Sequence, residues 1–92
     1  MRLPSVHTIA GTLAPLCVSA LTLRLCQERC AGVVRVSDDD IRAAVALLWD
    51  DLRLRLEPAG AAALAALCAG RVGPALLGGA RTIAVLLCGA NA

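Results

Sequence analysis

Apolar residues recur at helical spacing in the middle of the chain. The four that would share one helix face are Ile41, Val45, Leu48 and Leu52. Ser37 precedes this pattern as an N-cap, and the acidic run 38–40 places negative charge at the positive end of the helix dipole. Pro58 disfavours helical geometry at Glu57, the residue before it. The pattern therefore predicts a capped amphipathic helix followed by an extended Leu-Glu-Pro elbow.

Two later stretches have no polar face. Ala59–Ala69 contains only Ala, Leu, Gly and Cys, so it predicts a helix that is buried on every side. Thr82–Cys88 is a continuous run with β-branched residues at 82, 83 and 85, which is typical of a strand covered on both faces. Between them, Arg71–Ala80 contains Gly and Pro residues that predict a loop.

The first third of the chain is less regular. Residues 2–14 are loop-like, Pro15 can open a helix to about Cys30, and Val33–Val36 is a candidate short strand. The prediction is an α/β fold of about three helices and two short strands. Because two short strands do not make a self-sufficient sheet, residues 1–92 are expected to form a single partial domain of a larger α/β unit.

Composition narrows the classes of function. Apolar residues make up 59% of the chain, Trp49 is the only aromatic residue, and the net charge is only +2. A nucleic-acid-binding protein would need a stronger basic patch or aromatic stacking surfaces, so no nucleic-acid partner is predicted. Trp49 lies on the predicted central helix and is interpreted as a packing residue. All nine basic residues are arginines, so the chain contains no lysine.

Metal and disulfide chemistry are weakly supported. The five cysteines form no C-x-x-C pair, and His7 is the only histidine, so no zinc site is predicted. Cys26 and Cys30 would share a helix face, which is poor geometry for a disulfide. Small buried thiols in a reducing cytoplasm are the preferred interpretation. Asp38–Asp40 lack calcium-loop spacing and are better explained by the helix start.

The N-terminal stretch leaves a membrane alternative open. No Asp, Glu, Lys or Arg occurs between Arg2 and Arg24. Pro4, Gly11, Pro15 and several hydroxyl residues nevertheless interrupt the apolar run that a membrane span or signal peptide needs. The expectation is that the chain does not insert into a membrane.

Three motifs carry a family resemblance. They are H-T-I-A-G-T-L-A-P, then V-S-D-D-D-I-x(7)-W-D-D-L-R-L-x-L-E-P-A-G-A-A-A-L-A-A-L, and finally A-V-L-L-C-G-A-N. In this order they resemble the end of the catalytic domain of threonine/serine dehydratases, which are relatives of serine racemase among the fold-type II pyridoxal-phosphate enzymes. The resemblance covers about His7–Asn91, which corresponds to roughly the last quarter of a complete enzyme of this family.

The resemblance implies a pyridoxal 5'-phosphate cofactor and the β-elimination of water from hydroxy amino acids, giving 2-keto acids and ammonia. Cys88 stands where the family has a Ser or Cys that is hydrogen-bonded to the pyridine nitrogen of the cofactor. Gly89 would let the backbone pass close to the ring, and Asn91 closes the motif. Glu57 would face the cofactor pocket. From the residues alone, Cys88 is a small buried hydrophobe and Glu57 a helix-start charge.

The chain also departs from the family. It has no lysine to hold the cofactor as a Schiff base, and it lacks the Ser-x-Gly-Asn and tetraglycine loops that grip substrate and phosphate. Gly11 stands where the family has a loop aspartate. The chain alone is therefore expected to be inactive. Three hypotheses stay open. The chain is a truncated remnant of a dehydratase, or it is one subunit of a split dehydratase whose lysine-bearing N-terminal part is separately encoded. The third hypothesis is an unrelated hydrophobic protein that acts in interactions or associates with a membrane. Assembly of the chain into a homo-oligomer is a further possibility.

Overall fold

The computed structural model describes residues 2–90, and within this range all regular structure is helical. Two short 3-10 helices accompany the α-helices and cover Gly11–Leu13 and Pro58–Ala61. The four α-helices are α1 (Ala20–Arg29), α2 (Asp38–Leu52), α3 (Ala62–Cys68) and α4 (Pro74–Leu77).

Helix α2 begins where the sequence predicts. The Ser37 hydroxyl accepts a hydrogen bond from the Asp40 N–H at 3.0 Å, and the Asp40 carboxylate accepts one from the Ser37 N–H, also at 3.0 Å. This reciprocal capping box satisfies two backbone donors that a helix start otherwise leaves unpaired. The helix ends at Leu52, and the left-handed backbone of the next residue, Arg53 (φ 54°), lets the Leu54 N–H donate to the Leu48 carbonyl at 3.1 Å.

The core lies between α2, α3 and the 3-10 helix Pro58–Ala61. Small side chains let these elements approach closely, because alanine adds only one carbon beyond the backbone. The predicted apolar face is correct for Ile41 and Leu48, whereas Leu52 at the last turn is 61% exposed. The buried apolar residues are Ala10, Ile41, Ala44, Leu48, Leu56, Ala61 and Ala65.

The prediction of a helix buried on every side at 59–69 is wrong. The segment begins as the 3-10 helix Pro58–Ala61 and continues as α3. Ala61 and Ala65 are buried, but Ala63 and Cys68 are exposed, because α2 covers only one side of this segment. An apolar composition indicates that a helix can be covered all round, but the neighbours decide whether it is.

The α/β prediction is also wrong, since neither Val33–Val36 nor Thr82–Cys88 forms a strand in residues 2–90. A strand requires a neighbouring extended segment whose N–H and C=O groups complete the ladder. Among the described residues, no backbone hydrogen bond joins 82–88 to another segment. The apolar, β-branched pattern indicates a preference for extended backbone, and the pairing partner is missing from this part of the chain.

Two helices differ from their predicted bounds. Helix α1 begins at Ala20 rather than near Pro15, because Ser19 caps it by accepting from the Thr22 N–H at 3.1 Å. It buries none of its residues. Helix α4 forms inside the predicted loop 71–80, with Pro74 at its first position and the left-handed Gly78 at its end. No helix of the described residues is both long and apolar enough to cross a membrane.

Candidate functional site

The turn at Cys88–Gly89 packs against the elbow at Glu57–Gly60. The Glu57 N–H donates to the Gly89 carbonyl oxygen at 2.9 Å. Gly60 is buried, and a Cβ atom built on it would lie 2.7 Å from the Cys88 carbonyl carbon and closer still to its oxygen. Any side chain at position 60 would therefore push the turn away, so Gly60 permits a direct backbone-to-backbone contact.

Gly89 makes the reciprocal contact. Its backbone is left-handed, with φ at 74°, and a Cβ atom there would lie 2.9 Å from both Cδ and Oε1 of Glu57. A side chain at this position would meet a conformational cost and a steric one. The two glycines therefore fix the turn on the elbow from both sides, and we call residues 57–60 together with 88–89 the elbow–turn wall.

The structure places two of the predicted site side chains on this wall. Cys88 is exposed, which contradicts its interpretation as a small buried hydrophobe. The other four cysteines are exposed as well, so the prediction of buried thiols is wrong. The Glu57 side chain is half-buried and makes no hydrogen bond within residues 2–90. Asn91 lies outside the described residues. The cofactor-binding roles of Cys88, Gly89, Asn91 and Glu57 stay predictions.

The N-terminal loop is tied to the start of α2. The Thr8 hydroxyl donates to one oxygen of Asp38, and the Ile9 N–H donates to the other at 3.3 Å. Ala10, the next residue, is 2% exposed and belongs to the core. The first and second family-like motifs are therefore in direct contact, and Gly11 begins the 3-10 helix that follows.

The other two aspartates of the acidic run have protein partners of their own. Asp40 receives the Arg71 guanidinium through Nε at 3.0 Å and Nη2 at 3.3 Å. This guanidinium, followed by the Ser37 N–H, holds the pKa of Asp40 below its usual value. Asp39 pairs with Arg42 at 2.8 Å on the open surface. The interpretation of the acidic run as part of the helix start is confirmed at Asp40, which closes the capping box.

A groove of about 380 Å³ lies beside α2; it includes Pro58 of the elbow but neither Cys88 nor Glu57. Trp49 forms part of it and is 41% exposed, so its interpretation as a packing residue is only partly right. The guanidinium carbons of Arg53 and Arg55 lie 5.4 and 5.0 Å from the centre of the Trp49 ring. The lining residues are Ile9, Arg42, Val45, Ala46, Trp49, Leu54, Arg55 and Pro58.

Sequence reasoning missed Gly60, the Asp38 tether and this groove. A single glycine inside an alanine-rich helix pattern is a signal of close backbone approach, and it marks Gly60. The tether and the groove depend on contacts between residues far apart in the chain, and local patterns do not indicate them. Thr8 and Asp38, for example, are 30 positions apart.

Comparison with known proteins gives a consistent match. A family model described as pyridoxal-phosphate dependent enzyme matches residues 1–89. Phenylserine dehydratase of Ralstonia pickettii is 42% identical over 91 residues, which cover 99% of this chain and 27% of that protein. Serine racemase of Dictyostelium discoideum is 38% identical over 61 residues, covering 66% of this chain and 18% of that protein.

The biosynthetic L-threonine dehydratase of Escherichia coli is 41% identical over 63 residues, which cover 68% of this chain and 12% of that enzyme. The chain thus spans about a quarter or less of the length of these relatives. No solved structure matches it.

Proposed function

The chain belongs to the pyridoxal-phosphate dependent enzyme family, and from that premise we propose that it supplies one wall of a dehydratase's cofactor pocket. The observation that carries the proposal is the interlocked contact of the elbow–turn wall, in which Gly60 admits the Cys88 carbonyl and Gly89 admits the Glu57 side chain. This wall holds an exposed thiol and a half-buried carboxylate on neighbouring, mutually fixed backbone segments. Fixed polar groups beside a cofactor are how a protein orients the cofactor and tunes its electronics.

The residues of this chain do not fit the covalent attachment of the cofactor. Pyridoxal phosphate supplies an electron sink once its aldehyde is held by an amine, and the family uses a lysine for this purpose. All nine basic residues here are arginines, whose guanidinium groups stay protonated in proteins and are not amine nucleophiles. We therefore propose that the chain is inactive alone and that a lysine-bearing polypeptide completes the site.

The substrate class follows from the relatives. Their names include phenylserine dehydratase, serine racemase and threonine dehydratase, whose named amino acids are all β-hydroxy α-amino acids. We propose the same class for the completed site, with a 2-keto acid and ammonia as products. We further propose a reducing, cytoplasmic setting, which the five free thiols support.

The proposed inability of this chain to attach the cofactor covalently is tested on the isolated protein. The purified protein is incubated with pyridoxal phosphate, reduced with borohydride and digested, and its peptides are analysed by mass spectrometry. No cofactor adduct is expected on any internal residue. An adduct confined to the terminal amine would be non-specific, whereas a reproducible internal adduct would contradict the proposal.

Completion of the site is tested with the Ralstonia pickettii phenylserine dehydratase shortened by the stretch that matches this chain. This shortened protein is co-purified with the full chain and assayed for 2-keto acid release from phenylserine, threonine and serine. Activity is expected only when both polypeptides are present. Absence of product from a stable complex would favour the inactive-remnant hypothesis over an active wall.

The wall itself is tested in that complex through Cys88. Cys88→Ala should lower keto-acid formation, and Cys88→Ser, which keeps a hydrogen-bonding atom, should retain most of it. The matched control is Cys68→Ala, because Cys68 is also exposed but lies at the end of α3, outside the elbow–turn wall. Equal activity of the Cys88 and Cys68 alanine variants would remove Cys88 from the proposed pocket.

A further inference from the structure

We propose that the groove beside Trp49 binds a small carboxylate that has an apolar body. Its volume of about 380 Å³ lies within the range of small-molecule sites, roughly 300–1,000 Å³. Most of its lining is aliphatic, which would cover an alkyl or aryl body of the ligand. The aliphatic lining residues are Ile9, Val45, Ala46, Leu54 and Pro58.

The charge of the lining selects the sign of the ligand. Of the residues that the structure describes, two arginines and no acidic residue line the groove. Arg42 is paired with Asp39 at 2.8 Å, but Arg55 has no carboxylate partner within residues 2–90. An apolar groove with one uncompensated guanidinium at its wall is complementary to an anion that also carries an apolar surface. A guanidinium is well suited to a carboxylate because it offers two parallel N–H donors.

The position of Arg55 is fixed by Trp49. The guanidinium carbon of Arg55 lies 5.0 Å from the ring centre, within cation–π distance. Arg53 reaches the same ring at 5.4 Å from a left-handed backbone position that non-glycine residues seldom adopt. Two arginines therefore converge on a partly exposed indole, and the ring holds the Arg55 side chain beside the groove while its N–H groups make no hydrogen bond to the described residues.

This groove shares Pro58 with the elbow–turn wall but contains neither Cys88 nor Glu57, the two side chains proposed to face the cofactor. The inference therefore does not rest on the proposed dehydratase function, and either can fail without the other.

The test uses Trp49 as its own reporter, because it is the only tryptophan and the chain has no Tyr or Phe. Fluorescence of the full chain is titrated with octanoate, 1-octanol and octylamine at concentrations below micelle formation. The three probes share an eight-carbon body and differ in head-group charge. Octanoate is expected to bind about tenfold more tightly than octanol, as a charge-assisted hydrogen bond would give. Octylamine should bind most weakly. Equal affinity for octanoate and octanol, or tightest binding of octylamine, would overturn the proposal.

Variants locate the effect. R55Q should lower octanoate affinity about tenfold and leave octanol affinity unchanged, measured by calorimetry because the variant also alters Trp49 fluorescence. R81Q is the matched control, since Arg81 is exposed, outside the groove and unpaired among the described residues. A46L fills the groove from α2 and should weaken the binding of both octanoate and octanol. It provides a second test of the site in case the R55Q protein does not fold. Equal losses in R55Q and R81Q, or unchanged binding in A46L, would contradict a site in this groove.

Discussion

Replacement of Gly60 by alanine tests the contact on which the elbow–turn wall depends. The new Cβ atom would lie 2.7 Å from the Cys88 carbonyl carbon and still closer to the carbonyl oxygen. Both are backbone atoms, so no side-chain rotation can relieve the overlap. The turn would have to move away from the elbow, and the 2.9 Å hydrogen bond from the Glu57 N–H to the Gly89 oxygen would weaken or break.

The expected loss follows from these contacts. Overpacking at a closely packed position costs about 1–3 kcal/mol, and loss of one backbone hydrogen bond costs about 1 kcal/mol. Alanine restricts the unfolded chain relative to glycine, which returns about 0.4–1 kcal/mol. The free energy of unfolding of Gly60→Ala should therefore fall by about 1–3 kcal/mol. That is a large part of the roughly 5–14 kcal/mol expected for a folded chain of this length.

Urea denaturation followed by circular dichroism and Trp49 fluorescence measures this loss as a lower midpoint. Gly73→Ala is the matched control, because a Cβ atom there meets nothing within 4 Å and its backbone (φ −75°, ψ 166°) is open to alanine. Its stability should change little, because the gain of about 0.4–1 kcal/mol from a more restricted unfolded chain is offset by the poorer N-cap that alanine gives α4. If the two variants unfold at the same urea concentration, the close approach of Gly60 to Cys88 does not exist in solution.

Three further predictions concern the start of α2. The Arg71 guanidinium is the main cause of the lowered pKa of Asp40. The stabilisation that ionised Asp40 gives is therefore present above its unfolded pKa of about 3.9 and is lost as the pH falls through the lower folded pKa. The difference in melting temperature between the unmodified chain and Asp40→Asn should shrink between pH 6 and pH 3, and a constant difference would contradict the ion pair. Ser37→Ala should lower the free energy of unfolding by about 1 kcal/mol in urea titrations, through loss of the cap, and an unaltered midpoint would count against the capping box. Thr8→Val removes the hydroxyl that binds Asp38, which should cost about 1 kcal/mol and speed proteolysis of the N-terminal loop; cleavage at the unmodified rate would argue against this tether.

The parts of the fold that the sequence predicts correctly are those decided within a few residues. The cap at Ser37 and the extended backbone at Glu57 follow from neighbouring side chains, and both appear in the structure. The Thr82–Cys88 run has the composition of a strand, but strand formation depends on a partner that no local pattern can supply. For the same reason, composition alone overestimates how fully the helix at 59–69 is covered.

The candidate site likewise combines features that the local sequence predicts with features that depend on tertiary contacts. The family-like motifs predict Glu57 and Gly89 on one pocket wall, and the structure brings these two residues into contact. Gly60 opposite Cys88 is a contact across 28 positions, and the left-handed Arg53 that brings a guanidinium to Trp49 has no signature in its residue type. Glycine or asparagine is the usual choice at such a helix end. These features arise from tertiary contacts, and only the structure reveals them.

The two tethers at the start of α2 have a consequence for the order of folding. Asp38 holds a residue 30 positions before it, and Asp40 holds Arg71, 31 positions after it. Closing a loop of that length costs about 3 kcal/mol of chain entropy beyond a constant, whereas the capping box closes over three residues. Helix α2 should therefore form first and the tethers late. Substitutions at Thr8 or Arg71 would then act mainly on the unfolding rate, and substitution of Ser37 on the folding rate.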